Sequence, residues 1–424
     1  MITATTFFKD RMKNLNLSFP LAAACLLGTA MLQTGCNGYT SRQVLDPTAA
    51  AARLRSGENM KDEVDRLARP LIASREDHDL AVGVLTPDGA VHCYGYSVAT
   101  PPGPDTIFQI GSVTKVFVAS LLVILVQEGQ LHYDDMVRSI LPPSVKVSPD
   151  VGAVTLRELA THMSGLPREP HNLRQLKHVV DFVFAGRNPY DFITRDYLYK
   201  YIGTKRLQPK AERVYCYSNL GYGLLANLIE VKTGRSLPDL IQEKICGPLN
   251  MRDTVFTLTP EQRKRLEQGH AGDEPRFFPR NRPMPDWDMG DIMRASGGMY
   301  STVHDLMTFA KSNLGMSGSS FDPVWAETQH VAIHTPDEDI TLGWMIDRYP
   351  DWGTRITFMN GILSGYSAYL GMDTDKKIAV VVLSSNFNWK DKVGQNLLLR
   401  LASARETNSA AAVSAGQPVS PSPH

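Results

Sequence analysis

A hydroxyl and an amine that can act as a nucleophile and its base occur at Ser112 and Lys115, the only Ser-x-x-Lys of the sequence. The apolar run 116–126 follows, and Gly129 comes just after it, which favours a helix that ends there. A helix that begins at or just before Ser112 places both side chains one turn apart on the same face. Burial there can lower the pKa of the lysine enough for it to accept the serine proton. By spacing alone, an ordinary buried helix with a capping serine and a surface lysine is the favoured interpretation.

A second chemical pattern is the only Tyr-x-Asn of the chain, at Tyr217 and Asn219. A phenol beside the Ser112–Lys115 pair can shuttle a proton between nucleophile, leaving group and water, provided that the Lys charge lowers its pKa. The Asn219 amide can hold both the lysine and an amide carbonyl of the substrate. A lone Tyr-x-Asn is a weak signal, but together with the unique Ser-x-x-Lys upstream it is a strong one.

The elements around these residues follow from hydrophobic periodicity and turn residues. An amphipathic segment predicts a helix over 59–74, and two apolar runs joined by a Pro-Asp-Gly turn predict a hairpin of strands at 80–85 and 91–96. Thr155 followed by Glu158 is a capping box that begins another helix. Further helices are predicted at 191–202, 220–232 and 391–404, and further strands at 340–346, 355–359, 366–372 and 378–384.

Composition narrows the class of protein. The hydrophobic content of 43% and the charged content of 21% are typical of a globular protein with a sizeable core. Lys plus Arg and Asp plus Glu both number 44, so net charge gives no argument for a nucleic-acid partner. Outside the N-terminus, no apolar run approaches the roughly 20 residues that span a bilayer.

The N-terminus has the pattern of an export signal. Lys9, Arg11 and Lys13 precede the apolar stretch 21–32, which leads to small residues before Cys36. This arrangement is typical of a bacterial lipobox, in which Cys36 is lipidated and becomes the mature N-terminus. A signal that is not lipidated, whether cleaved or uncleaved, is the alternative, because Gln33 stands where leucine is usual. The protein is therefore expected in the periplasm or cell envelope, with possible membrane anchoring through Cys36.

The sequence predicts four consecutive regions. A signal peptide occupies 1–36, a polar and Ala-rich linker 37–57, the catalytic domain 58–404, and a disordered Ser/Pro/Ala-rich tail 405–424.

Five segments occur in the order typical of one enzyme family. They are Phe108–Lys115, Leu156–Pro167, Tyr217–Tyr222, Gly247–Met251 and Ser296–Thr302. Together they resemble the class C β-lactamase-like serine hydrolases, which include penicillin-binding DD-peptidases, D-aminopeptidases and family VIII-type carboxylesterases. The resemblance covers about residues 58 to 404. Ser-x-x-Lys acylating enzymes share the logic derived above for Ser112 and Lys115.

The resemblance implies a β-lactamase/transpeptidase-like α/β (α+β) fold. An antiparallel five-stranded sheet is flanked by helices, and a mostly helical lobe is inserted from about Gly129 to the region before Ser296. The active site is expected in the groove between the lobes. By the same resemblance, the backbone N–H groups of Ser112 and Ile362 form the oxyanion hole.

The third motif of the family is where the sequence departs from it. Members carry Lys-Thr-Gly or His-x-Gly four residues before a Gly-aromatic pair, and here Met359-Asn360-Gly361 occupies that position. Met359 thus replaces a cation that orients a substrate carboxylate or the proton network, which weakens the case for a β-lactamase or carboxypeptidase. Gly361 keeps close backbone approach possible. Asn360 is expected to donate a hydrogen bond to the substrate.

The expected activity is that of a serine hydrolase acting through an acyl-enzyme on an amide or ester, with Ser112, Lys115 and Tyr217 catalytic and no metal or organic cofactor. A penicillin-binding DD-peptidase-like enzyme of the cell envelope is favoured, with a small molecule or a peptide such as a peptidoglycan stem peptide as substrate. A carboxylesterase, a β-lactamase and a non-catalytic penicillin-binding sensor stay open as alternatives.

Overall fold

The computed structural model of the chain describes residues 60–170, 178, 181, 188–272, 280–318, 320–336, 338–387 and 393–403. The predicted signal peptide with Cys36, the linker and the tail lie outside these residues. The described chain has the mixed α/β architecture expected from the sequence, with one large antiparallel sheet covered by helices.

The strands form one eight-stranded sheet in the order β2-β1-β10-β9-β8-β7-β6-β5, and β3 pairs with β4 in a separate small sheet. Their bounds are β1 Asp79–Leu85, β2 Val91–Ser97, β3 Phe108–Gln109, β4 Tyr300–Ser301, β5 Ile333–His334, β6 Asp339–Ile340, β7 Met345–Tyr349, β8 Thr354–Leu363, β9 Tyr366–Asp373 and β10 Ile378–Ser384. The sheet is therefore larger than the expected five strands. The predicted strand 340–346 is two strands, because a turn at Gly343, where φ is +86°, reverses the chain between β6 and β7.

The helices agree with the predicted ones to within a few residues. Their bounds are α1 Met60–Ala73, α2 Thr114–Gln127, α3 Val137–Ile140, α4 Pro149–Gly152, α5 Leu156–Ala160, α6 Arg195–Thr204, α7 Asn219–Thr233, α8 Leu237–Ile241, α9 Pro260–Arg263, α10 Gly290–Gly297, α11 Val303–Asn313, α12 Asp322–Thr328 and α13 393–403. The predicted capping box begins α5. Helix α6 begins later than expected, because the Thr194 side chain caps it by accepting from the Tyr197 N–H.

Alternation along the strands divides the core into two layers. In β10, Val380 and Val382 face α1 and α13, whereas Val381 and Leu383 face the layer that contains α2 and α11. The main-sheet strands precede Gly129 or follow Ser296, and the described elements between those residues are helical, as expected for an inserted lobe.

Helix α2 runs through the centre of this second layer. Every residue from Thr114 to Leu125 is buried, which is the behaviour of a helix that is apolar on all sides. It ends as predicted, with Gly129 at a φ of +70°. No helix in the described part of the chain is long and apolar enough to cross a membrane.

Candidate active site

Ser112 and Lys115 come together at the start of α2. Ser112 lies in a 3₁₀ turn, Gly111–Val113, and Lys115 lies in the first turn of the helix. Lys115 Nζ is 2.9 Å from Ser112 Oγ and donates to the Ser296 carbonyl at 2.5 Å. Burial lowers the pKa of Lys115 well below 10.5, and the positive charge of Arg168 lowers it further. A neutral amine within hydrogen-bond distance of a hydroxyl can accept its proton.

The Tyr217 phenol lies against the same pair. Lys115 Nζ is 4.8 Å from the centroid of the Tyr217 ring, and a side-chain hydrogen bond joins Tyr217 to Ser112. The expectation that the Lys charge lowers the Tyr217 pKa is wrong, because burial raises that pKa and outweighs the nearby charge of Arg168 and the bond to Ser112. Tyr217 is therefore a protonated phenol that can donate or relay a proton. Lys115 is then the group that can accept the proton of the Ser112 hydroxyl.

The His162 ring packs against the Tyr217 ring, a contact that the sequence did not indicate. The two rings stack with centroids 4.4 Å apart. His162 Nδ1 accepts the Ser218 N–H at 3.0 Å, so the neutral tautomer carries its proton on Nε2, which has no hydrogen-bond partner among the described residues. Burial lowers the pKa of His162 far below its usual value, and the Lys115 charge acts in the same direction. A neutral imidazole at this position adds no charge beside the nucleophile.

A carboxylate that sequence reasoning missed, Glu169, holds Asn219. Glu169 Oε1 accepts from Asn219 Nδ2 at 2.6 Å and from the Tyr190 hydroxyl at 3.1 Å. Burial raises the Glu169 pKa, although these bonds lower it in part. With Nδ2 committed to Glu169, the buried Asn219 Oδ1 has no hydrogen-bond partner within the described residues. Asn219 therefore offers an acceptor, whereas the sequence suggested a donor to a substrate carbonyl.

Arg168, the second residue that was missed, brings a positive charge to the site. Its guanidinium carbon is 4.9 Å from the centroid of the Tyr217 ring. Residues 168 and 169 directly follow the family-like segment Leu156–Pro167, which is the only sequence signal that could have pointed to them.

Hydrogen bonds attach this loop to the start of α7. Ser218 Oγ donates to the Pro167 carbonyl at 2.7 Å, and the Asn219 N–H donates to the Arg168 carbonyl at 3.1 Å. The Ser218 hydroxyl also accepts from the Gly221 N–H and so caps α7. These bonds join the beginning of α7 to the 164–169 loop, and the two segments together position Tyr217, Asn219, Arg168 and Glu169.

Strand β8 approaches the catalytic turn through backbone. A Cβ built on Gly361 would lie 1.9 Å from the Ile110 carbonyl oxygen and 3.1 Å from the Ser112 nitrogen, and one built on Gly111 would lie 2.6 Å from the Ile362 nitrogen. Only glycine permits this contact. The backbone nitrogens of Ser112 and Ile362 consequently lie at the junction of turn and strand, where the sequence expected an oxyanion hole.

Two side chains of β8, Met359 and Asn360, precede the backbone contact at Gly361. Met359 is only 2% exposed and packs in the core layer of α2. Asn360 alternates with Gly361 along the strand, so its side chain lies on the face of β8 opposite the catalytic turn. The structure thus brings together Ser112, Lys115, Tyr217 and Asn219, and the backbone of Gly361 and Ile362. The role of Asn360 as a substrate donor stays a prediction.

Comparison with known proteins identifies the family. A model of the β-lactamase family matches residues 64–404. The chain belongs to the β-lactamase family. As a member of this family, the protein is a serine hydrolase, as the ordered sequence motifs and the family resemblance predicted.

Two bacterial relatives align with most of this β-lactamase family member. D-alanyl-D-alanine-carboxypeptidase/endopeptidase AmpH of Escherichia coli K12 is 27% identical over 79% of this chain and 86% of its own. Penicillin-binding protein 4* of Bacillus subtilis 168 is 26% identical over 73% of this chain and 69% of its own.

Solved structures confirm the fold. A class C β-lactamase from Rhodobacter sphaeroides superposes with a TM-score of 0.66 at 21% identity, covering 82% of this chain and 99% of that one. D-alanine carboxypeptidase AmpC from Burkholderia cenocepacia superposes with a TM-score of 0.65 at 20% identity, covering 81% and 99%.

Proposed function

We propose that this β-lactamase family hydrolase is a DD-peptidase-like enzyme that cleaves peptides ending in D-Ala-D-Ala through an acyl-enzyme on Ser112. The observation that carries the chemistry is the 2.9 Å distance between Ser112 Oγ and the buried Lys115 Nζ. The substrate class is supported by a relative named as a D-alanyl-D-alanine-carboxypeptidase/endopeptidase that aligns with 79% of the chain.

In the proposed mechanism, Ser112 Oγ attacks the carbonyl carbon of the scissile amide while Lys115 takes its proton. The backbone N–H groups of Ser112 and Ile362 stabilise the oxyanion. Tyr217, protonated and hydrogen-bonded to Ser112, relays a proton to the leaving amine. Water then attacks the ester, and the proton route runs in reverse. No step uses a metal or an organic cofactor.

Arg168 takes the place of the cation that the third motif lacks. Met359 is uncharged and buried, so β8 offers no positive side chain at that position. The Arg168 guanidinium lies over the Tyr217 ring, and guanidinium groups bind carboxylates by paired hydrogen bonds. We assign to it the terminal carboxylate of the peptide substrate. Asn219 Oδ1, which has no hydrogen-bond partner in the described part of the chain, is assigned to a peptide N–H of the substrate.

A carboxylesterase is the second candidate, and the buried, uncharged Met359 is the observation that favours it, since an ester needs no carboxylate clamp. β-Lactam hydrolysis and a non-catalytic sensor are outcomes of the same test. We also propose export to the cell envelope and lipidation at Cys36, on the basis of the signal pattern of residues 1–36.

The test compares four substrates with the same enzyme. They are an acylated peptide ending in D-Ala-D-Ala, its C-terminal amide, a short-chain ester and benzylpenicillin. The proposal predicts release of D-Ala from the free-acid peptide at the highest kcat/KM. A higher kcat/KM for the ester identifies a carboxylesterase, and rapid opening of benzylpenicillin identifies a β-lactamase. Stable acylation without turnover of any substrate identifies a sensor.

The role of Arg168 is tested by Arg168→Gln, with the exposed Arg206→Gln as matched control. Loss of a charged hydrogen bond predicts a kcat/KM about 10- to 100-fold lower for the free-acid peptide. The amidated peptide, which has no carboxylate, should be affected much less. An equal loss on both peptides would show that Arg168 acts only through the Lys115 pKa, and not on the substrate carboxylate.

A further inference from the structure

A second polar cluster lies outside the catalytic site, where β1 begins. His78, Asp79 and His270 each offer one ligand atom, and these atoms all lie within 4.8 Å of one another. His78 and Asp79 are adjacent in the chain, whereas His270 comes from the loop after α9. The two imidazole rings are nearly parallel, with centroids 4.0 Å apart.

One atom of this cluster has an unmet hydrogen bond. His270 is 6% exposed, and its buried Nδ1 has no hydrogen-bond partner among the described residues. A buried polar atom without a partner costs free energy, so such atoms are uncommon unless a ligand satisfies them. A metal ion bound to His270 Nδ1 would satisfy this atom, since imidazole nitrogens are common metal ligands.

The carboxylate of the cluster is held in place by other groups. Asp79 Oδ2 is 2.5 Å from His78 Nδ1 and accepts from the Ser385 hydroxyl at 3.0 Å. The His270 N–H donates to the Ser385 carbonyl at 2.7 Å, so the same residue fixes both ligands. Outer contacts of this kind orient ligands in metal sites.

A cavity of about 380 Å³ opens beside these side chains. Glu267 also lines this cavity and adds a carboxylate beside the three side chains. The cavity leaves room for water or a further oxygen as a fourth ligand.

We propose that His78, Asp79 and His270 form a binding site for a divalent transition-metal ion of the zinc type. Two imidazoles and one carboxylate, with an open fourth position, suit Zn²⁺. Ligand atoms about 2.0–2.1 Å from a tetrahedral ion lie about 3.3 Å from one another. The ligand atoms that are farthest apart in this cluster must therefore move closer together when the ion binds. His78, whose side chain is 28% exposed, can rotate to do so. In the bound state, contacts to the ion replace the direct contact between His78 Nδ1 and Asp79 Oδ2.

Metal binding at this cluster ties three parts of the fold together. His78 and Asp79 lie at the start of β1, Ser385 follows β10, and the His270 N–H also contacts the Gly365 carbonyl, at the turn between β8 and β9, at 3.1 Å. Because the ion binds only the folded arrangement, it should raise the melting temperature. The role is structural, and it is independent of the activity proposed for Ser112.

The experiment uses the untagged full chain after removal of metals with a chelator. Zn²⁺ is titrated by calorimetry, and Co²⁺ is added to record the visible absorption of a four-coordinate ion. The proposal predicts one equivalent of Zn²⁺ and an affinity at least about 100-fold lower in His78→Ala and in His270→Ala, since even outer contacts of a metal site are worth ~10- to 100-fold. His78→Ala is the safer variant, because His270 is buried and its replacement is more able to disturb folding.

The matched control is His304→Ala. His304 forms another His–Asp pair, with Nδ1 3.0 Å from Asp105 Oδ1, and its side chain is 68% exposed. Affinity and melting temperature with Zn²⁺ should be unchanged in this variant. Absence of stoichiometric binding to the parent protein, or equal binding by folded His78→Ala, would overturn the proposal.

Discussion

The two walls of the candidate active site differ in what they contribute. The helical wall, made by the start of α2, the start of α7 and the 164–169 loop, presents buried polar side chains that contact one another. The strand wall, made by β8, meets the catalytic turn through the backbone of Gly361 and Ile362, and its Met359 side chain packs into the core.

This difference indicates that the helical wall carries out proton transfer, whereas the strand wall supplies backbone geometry. Proton transfer needs side chains whose pKa values burial has changed, and Lys115 and Tyr217 meet that condition in opposite directions. Stabilising an oxyanion needs only backbone N–H groups held in place. Substitutions on the helical wall should therefore slow the proton-transfer and acylation steps. Substitutions on the strand wall should act by changing the distance between β8 and the catalytic turn.

The largest effect is expected for Ser112→Ala, which removes the nucleophile from the helical wall. Steady-state kcat on the preferred substrate should fall by about 10⁴- to 10⁶-fold, as for loss of other catalytic serines. The melting temperature should change little, because Ser112 is partly exposed and only its hydroxyl is lost. Turnover at the parental rate would remove Ser112 from the mechanism.

Lys115→Met should lower kcat by about 10²- to 10⁴-fold, the range for loss of a general base. In the parent enzyme, kcat/KM should rise with pH through the lowered pKa of Lys115, where the amine loses its proton. This acidic limb should be absent from the residual activity of the variant. A limb that persists unchanged would assign the base to another group.

The same substitution has a signature in stability. Between the lowered pKa of Lys115 in the folded protein and its ordinary value of 10.5, the unfolded chain binds more protons than the folded one. The free energy of unfolding should therefore rise with pH across this window in the parent protein. The free energy of unfolding is measured by denaturant titration at several pH values. It should rise less steeply with pH in Lys115→Met than in the parent protein.

On the strand wall, Gly361→Ala should act through distance. The added Cβ would lie 1.9 Å from the Ile110 carbonyl, so strand and turn must separate. Loss of an oxyanion contact predicts a kcat about 10²- to 10³-fold lower, accompanied by a lower melting temperature. Gly103→Ala is the control, because a Cβ there meets nothing within 4 Å. A Gly361→Ala enzyme with parental kcat would show that this junction does not hold the oxyanion.

The smallest effect is expected for Met359→Leu, which conserves volume in the core. Stability should change by less than about 1.5 kcal/mol, and kcat/KM should stay within a few-fold of the parent. Met359→Lys tests whether this side chain faces the core. It places a charge there, so it should destabilise the protein without restoring a carboxylate clamp. A stable Met359→Lys enzyme with a lower KM for the free-acid peptide would show that this side chain faces the substrate.

The sequence was informative where the chemistry is local. Ser112 and Lys115 lie one turn apart on a helix whose apolar run and terminal glycine are visible in the sequence, and the structure confirms that helix. The strand at 378–384, observed as β10, and the capping box of α5 were equally local.

The sequence was silent where contacts join distant segments. Glu169 meets Asn219, and His162 meets Tyr217, only because the 164–169 loop bonds to the start of α7. The direction of the Tyr217 pKa shift was wrong because burial depends on that packing. The spacing from the Gly365-Tyr366 pair placed Met359 and Asn360 at the third motif. Which of the two side chains faces the catalytic turn depends on the register and alternation of β8, which the sequence does not give.

The acyl-enzyme on Ser112 is tested directly by intact-mass spectrometry of the protein after incubation with benzylpenicillin, followed by mapping of the modified peptide. We expect a single covalent adduct with the mass of the intact drug on Ser112, absent from Ser112→Ala and formed much more slowly by Lys115→Met. An adduct of the same amount on Ser112→Ala, or an adduct mapped to a residue other than Ser112, would contradict this expectation.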